Sequence, residues 1–319
     1  MKHARALAPL LALALACAAP PLKTGAADAG LGPMPARGGV DVTGGSVDRL
    51  SFAVTGDTRP PLCDLVLLGR GQDYPTAAVT TIATQMNARG VQLGLDLGDH
   101  VFVCLGGAGE AEAQMNDYLR AISVFKAPFF LSMGNHECAF ALGGGLGDCG
   151  ADNPKDGVYT TFLKALAPIS AKPYYAVDVA TSLGLARFVF VADDAWNDAQ
   201  AAWLETTLAE ADAKARYTIV LRHHNLAQSK SGHYAAIVAL VNAHKYALHL
   251  TAHVHTYQHD VAEDPSGRTA IVGTGGSSNA TMQGYATVVQ GLDARLYFTM
   301  YDSAMDLPVD TWSVGPNAP

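Results

Sequence analysis

Apolar residues recur along this chain in two alternating periods. Short, nearly continuous apolar runs predict strands at Leu50–Thr55, Val91–Leu97, Pro128–Met133, Tyr174–Val179, Ala186–Ala192, Tyr217–Leu221, Ala247–Thr251, Thr269–Val272, Ala286–Val289 and Leu296–Tyr301. Between them, helical spacing marks Pro75–Arg89 (Val79, Ile82, Ala83 and Met86 on one face) and Ala111–Phe125 (Met115, Tyr118, Leu119 and Ile122). Three further helices are predicted at Tyr159–Leu166, Ala199–Ala211 and Tyr234–Lys245. Strand and helix alternating through both halves of a chain imply an α/β fold with sheets buried between helices.

The ends follow no such period. Lys2, His3 and Arg5 precede the apolar stretch Ala6–Ala16, which is too short to span a bilayer but fits the core of a signal peptide over residues 1–17. Leu13-Ala14-Leu15-Ala16-Cys17 resembles a lipobox, with Ala14 where a larger aliphatic is usual. The expectation is export, to the periplasm, to a lipid anchor at Cys17 or to the outside. Residues 18–48, rich in Gly, Ala and Pro, read as a flexible linker, 49–303 as the folded domain and 304–319 as a C-terminal tail.

Composition narrows the picture. Among 319 residues, 21 Lys and Arg against 29 Asp and Glu give a net charge of −8, which disfavours a nucleic-acid partner held by a basic surface. An apolar fraction of 49% supplies a large core and excludes disorder for most of the chain. No apolar run reaches the roughly 18–20 residues of a transmembrane span. Of five cysteines, four remain if Cys17 is removed or lipidated, and an even number in an exported chain implies disulfides. Cys138 and Cys149 flank a glycine-rich loop and are expected to pair; that leaves Cys63 with Cys104, which follow two strands placed side by side.

The candidate chemistry is positional. Five strands end in polar groups: Asp57, Asp99, Asn135-His136, His223, and His253 with His255. Ligands of open α/β sheets bind at the carboxyl ends of strands. Carboxylates, an amide and imidazoles converging there form a shell of O and N donors, which suits Zn, Fe or Mn better than Mg or Ca. His253 and His255, two residues apart, would face opposite sides of a regular strand and so must lie in the loop beyond it to serve one site.

These residues resemble the calcineurin-like metallophosphoesterase superfamily, which includes the purple acid phosphatases. Its ordered blocks appear here as Gly56-Asp57-Thr58-Arg59, Gly98-Asp99-His100, Gly134-Asn135-His136-Glu137, His223 and Ala252-His253-Val254-His255, over about residues 49–303. The G-D-T-R first block, with Tyr74-Pro75 at the next helix, is similar to an exported bacterial subgroup. The resemblance implies an α/β/β/α sandwich of two packed mixed β-sheets flanked by helices, and two transition-metal ions. Asp57 and His255 would hold one ion, Asn135, His223 and His253 the other, and Asp99 would bridge them. It further implies that a metal-activated hydroxide attacks a small phosphate ester, with His136 assisting the leaving oxygen.

The chain departs from the pattern where the first block ends in Arg59 instead of histidine, a loss that the purple acid phosphatases offset with a ligand tyrosine at the position held here by Phe102. His100 is the nearest replacement ligand; Arg59 could instead fork onto substrate phosphate. These departures motivate the alternative of a degenerate, non-catalytic or single-metal member acting as a binding or structural lipoprotein. Glu137 is expected to hold a neighbouring histidine or loop, His224 to orient His223, Asp193-Asp194 to form a turn, and Gly273–Ser278 to approach the site closely through its backbone.

Overall fold

The computed structural model describes residues 39–61, 73–104, 107–138, 149, 157–227, 232–259, 261, 264, 266–277 and 280–317. Within them the chain forms β1 (Val40–Asp41), β2 (Gly44–Val47), β3 (Ser51–Thr55), α1 (Thr76–Ala88), β4 (Leu93–Asp96), α2 (Gly107–Ile122), β5 (Phe129–Leu131) and α3 (Val158–Leu166). There follow β6 (Tyr175–Thr181), β7 (Gly184–Phe190), α4 (Asp198–Lys214), β8 (Ala215–Leu221), α5 (Gly232–Asn242) and β9 (Leu248–Thr251). Five strands close the chain: β10 (Tyr257–Gln258), β11 (Thr269–Val272), β12 (Gly284–Gln290), β13 (Leu296–Asp302) and β14 (Leu307–Val314). Two single-turn 3-10 helices, Asn135–Glu137 and Asp193–Ala195, follow strands β5 and β7.

The strands make two mixed sheets, ordered β1-β2-β6-β7-β8-β9-β11-β10 and β14-β13-β12-β3-β4-β5. In the smaller sheet β3, β4 and β5 run parallel; in the larger, β7, β8, β9 and β11 do. Side chains alternate across each strand, and this alternation builds the layers. Phe52 and Val54 of β3 point inward, and the Phe52 ring meets Phe188 of β7 edge-on at 5.2 Å, so the two sheets pack on each other. Full burial of such a phenylalanine contributes about 1.5–3 kcal/mol. The opposite face of β3 gives Ala53 to Ile82, Ala83 and Met86 of α1. Val220 of β8 likewise packs on Leu204 and Leu208 of α4 and on Ile237 and Val241 of α5. Helix α4 begins at Asn197, whose side chain accepts from the Gln200 N–H at 2.9 Å and satisfies one of the helix's free donors. The result is the α/β/β/α sandwich.

Two expected boundaries need correction. Residues 40–47 were assigned to the linker, but β2 pairs in parallel with β6, Gly44 opposite Asp178 through Val47 opposite Thr181. Gly44 has φ 109°, and a Cβ there would meet the Asp178 carbonyl oxygen at 2.0 Å, so backbone approach and not side-chain period makes this strand. Residues 307–314 belong to the expected tail, yet β14 pairs along β13 as an edge strand. An edge tolerates Pro308, and little of β14 is buried, which is why no alternation marks it. The expected signal peptide, Cys17 and the greater part of the expected linker lie outside the described residues. No described helix is long and apolar enough to cross a membrane.

Candidate metal centre

Parallel pairing brings the ends of β3, β4 and β5 side by side, and with them Asp57, Asp99 and Asn135. The ends of β8 and β9 do the same for His223, His253 and His255 in the other sheet. Two hydrogen bonds tie the edges together across the sandwich. The His253 N–H donates to Asp57 Oδ2 at 2.9 Å, and His223 Nδ1 lies 2.9 Å from the Leu97 carbonyl. Six non-glycine residues among those described have positive φ, and four of them are Asp57 (59°), Asp99 (60°), His253 (72°) and His255 (49°). Left-handed backbone costs such residues about 1–3 kcal/mol each, and here it gathers where the side chains must turn inward. For His253 and His255 it lifts both out of strand geometry, as their two-residue spacing requires. Gly134 is needed because a Cβ there would lie 2.3 Å from Asp99 Oδ1, and Gly273 because its Cβ would meet Asp57 Oδ2 at 2.4 Å.

The donors fall into two groups able to hold a metal ion: Asp99 with His223 and His253, and Asp57 with Asp99 and His255. In the first, His223 Nε2 lies 3.0 Å from Asn135 Oδ1, 3.1 Å from His253 Nδ1 and 3.3 Å from Asp99 Oδ1. His253 Nδ1 is also 2.9 Å from Asn135 Oδ1. The Leu97 carbonyl requires a proton on His223 Nδ1, which makes Nε2 of the neutral ring a lone pair facing other acceptors. Acceptors crowded at this range repel unless a proton or a cation lies among them, and imidazole nitrogens beside a carboxylate and an amide oxygen fit a transition-metal ion. In the second group, Asp57 Oδ1 is buried, accepts no hydrogen bond and stands 3.4 Å from His255 Nε2.

Electrostatics sharpen the contrast within the site. Burial opposes ionisation of Asp99, but His223, His136 and Arg59 hold its carboxyl well below the usual carboxylate range. Burial likewise disfavours charge on His223, yet Asp99, Asp57 and Asp194 raise its pKa well above that of a free imidazole. A metal ion entering this group would displace that proton. Burial, with His223 and His224 beside it, pushes His253 down to about 2.

A sequence model of the calcineurin-like phosphoesterases matches residues 50–257, a span from β3 to β10 that holds every donor named above. The chain belongs to this family. The two donor groups could each hold a divalent metal ion. Among solved structures the chain is similar to a purple acid phosphatase, PPD1, from yellow lupin seeds, with 17% identity, a TM-score of 0.58, and coverage of 83% of this chain and 53% of that one. It is also similar to a dimetal phosphatase from Danio rerio, with 12% identity, a TM-score of 0.53, and coverage of 83% and 98%. The chain thus spans about half the length of the lupin enzyme, and at these identities the likeness is one of fold. No curated protein matches the sequence.

Two further expected residues lie at the centre. His136 is buried, its main-chain N–H donates to Asp99 Oδ1 at 3.1 Å, its Nε2 is 3.7 Å from Asp99 Oδ2, and its Nδ1 has no hydrogen-bond partner. Arg59 is also buried: Nε is 3.4 Å from Asp99 Oδ2, Nη2 3.2 Å from His255 Nε2, and Nη1 donates to the Pro60 carbonyl at 3.2 Å. The guanidinium is thus engaged by protein groups instead of held out as a fork. His100 faces away from the donors, with Nε2 3.4 Å from Asp96 Oδ1 and Nδ1 3.3 Å from Glu137 Oε1. It belongs to neither donor group. Glu137 accepts from the N–H groups of Gly134, Asp99, His100 and Val101, and so clamps the second and third blocks together.

Sequence reasoning read Asp193-Asp194 as a turn, and the structure gives both a larger role. Asp194 lies 3.1 Å from His224 Nε2 and accepts from the Tyr234 hydroxyl at 2.5 Å, while the His224 ring sits 4.2 Å from that of His253. Asp193 Oδ2 accepts from Arg222 Nε at 3.2 Å and from the His224 N–H at 2.8 Å. An acidic pair placed directly after a buried strand that neighbours a histidine-bearing one was the available signal. Cys138 and Cys149 form a disulfide. Cys104 is also disulfide-bonded, and its expected partner Cys63 lies outside the described residues.

Proposed function

We propose that this chain is an exported, metal-dependent hydrolase of small phosphate esters, with Asp99, Asn135, His223 and His253 as the principal metal ligands and Asp57 and His255 beside them. The single observation that carries this reading is that the two donor groups share one carboxylate, Asp99. A metal ion held by these residues supplies Lewis acidity toward a phosphoryl oxygen and makes water nucleophilic at neutral pH.

The chain's own residues do the rest. The Leu97 carbonyl fixes the His223 tautomer, so Nε2 presents its lone pair to the centre. Glu137 holds the Asp99 loop in register through main-chain N–H groups on both sides of it. Burial, opposed by Asp99, lowers His136 to about 4, so the ring is neutral at pH 7 and acts by donating a hydrogen bond to an ester oxygen instead of delivering a full proton. Imidazole nitrogens combined with carboxylate and amide oxygens favour Zn, Fe or Mn. The Cys138–Cys149 disulfide and the signal-like leader support export. Recovery of the chain in the cytosol with both thiols reduced overturns that part.

The intact group of Asp99, His223 and His253, with Asn135 beside it, favours turnover over the degenerate, purely binding alternative. Purified protein stripped with chelator and reloaded with Zn, Fe or Mn is expected to hydrolyse chromogenic mono- or diesters. Asp99→Asn should lower the rate at least about a thousandfold, since metal-centred stabilisation is worth several kcal/mol. A chain that binds none of these metals and cleaves neither ester class defeats the proposal.

A further inference from the structure

The two departures from the family pattern, Arg59 and Phe102, are in contact. The Arg59 guanidinium carbon lies 4.6 Å from the centre of the Phe102 ring, over its face. Phe102 is itself pinned at both main-chain groups by one side chain: its N–H donates to Gln114 Oε1 at 2.6 Å and its carbonyl accepts from Gln114 Nε2 at 3.1 Å. Its ring also packs on His136 at 4.4 Å. Arg59 is only 5% exposed, so the cation is enclosed by the ring and the site.

From that seat the guanidinium reaches two of the three residues of one donor group, His255 at 3.2 Å and Asp99 at 3.4 Å. Arginine has donors and no acceptor, so His255 Nε2 must be the acceptor in this contact. The lone pair that would bind a metal is therefore already committed. A fixed positive charge among Asp57, Asp99 and His255 also repels a second cation at short range, where Coulomb energy in a buried site is largest. Phenylalanine supplies no ligand atom, but its ring face attracts a guanidinium.

Resting on the function proposed above, we propose that Arg59 on Phe102 is a built-in cation standing in place of one metal, so that this phosphoesterase works with a single ion held by Asp99, Asn135, His223 and His253. The two substitutions are then one compensated exchange: loss of the one ligand that the family draws from either position, together with gain of a positive charge and the platform that seats it.

Metal stoichiometry tests this without reference to activity. Full-length, metal-free protein titrated with Mn(II) is expected to bind one equivalent and show the electron paramagnetic resonance signal of an isolated ion. The double variant Arg59→His, Phe102→Tyr is expected to bind two and show a spin-coupled pair. Two tight, coupled ions in the wild-type chain overturn the proposal, and this needs no variant to fold. Wild-type protein that binds no metal and cleaves no ester removes the functional reading itself, whereas two bound ions with hydrolysis leave that reading standing and sink only this one.

Discussion

Two histidines lie close to Asp99, His100 next to it in the chain and His136 on the turn after β5, and their surroundings send them in opposite directions. His100 is fully buried against Tyr118 and Phe162, between Asp96 and Glu137. Burial opposes its charge, yet the two carboxylates raise it to about 10. His136 is almost as buried but faces one carboxylate, Asp99, with the Arg59 cation close by; burial and that cation leave it at about 4. At neutral pH the first is an imidazolium locked into the fold and the second a neutral ring within the site. Burial alone decides neither case. What differs is the number and sign of the charges within about 4 Å, where each counts most. A histidine locked into the fold and one left neutral can thus sit close to the same carboxylate, told apart only by their neighbours.

The sharpest way to break this contrast is His100→Phe. Removing the charge leaves Asp96 and Glu137 buried without their common partner, and losing one member of a buried ion cluster costs about 3–5 kcal/mol. Denaturant unfolding should record that loss; a change below about 1 kcal/mol would show that the cluster carries no charge. For His136→Gln the expectation is reversed. Stability should barely change, while hydrolysis falls about a hundredfold or more, the usual cost of a lost hydrogen-bond donor to a developing oxyanion. Equal loss of stability in both variants would erase the distinction.

The smallest and most diagnostic effect is in the pH dependence of metal-free protein. His100, raised in the folded state, contributes stability that is complete below its unfolded pKa near 6.5 and is lost as pH climbs through about 10. His136, depressed in the folded state, binds its proton more readily when unfolded, so stability rises with pH from about 4 to 6.5. Each slope is limited to about 1.4 kcal/mol per pH unit. His100→Phe should shrink the alkaline fall, to which the raised His223 also contributes, and leave the acid limb, and His136→Gln should shrink the acid limb alone. An unchanged alkaline limb in His100→Phe contradicts the assignment.

Much of this architecture was legible beforehand. Helix α1 lies within one residue of its predicted bounds because Val79, Ile82, Ala83 and Met86 repeat a local period that needs no knowledge of partners. Likewise Asp57, Asp99, Asn135, His223, His253 and His255 stand out because each directly follows a buried strand. The strands β2 and β14 escaped, since one is held by glycine backbone against β6 and the other by edge pairing with β13. Asp194 escaped because its partners His224 and Tyr234 come from elements 30 and 40 residues away.

By itself, then, the sequence determined the order of strands and helices and singled out the candidate metal donors, because apolar period and strand-end position are local properties. Only the tertiary structure decided what each charge does. Arg59 meets His255 from 196 residues away, and His100 and Asp96 become an ion pair only once both are enclosed. Charge pairing falls off steeply with distance and depends on exclusion of water, and both are fixed by how distant segments pack, not by the order in which they are written.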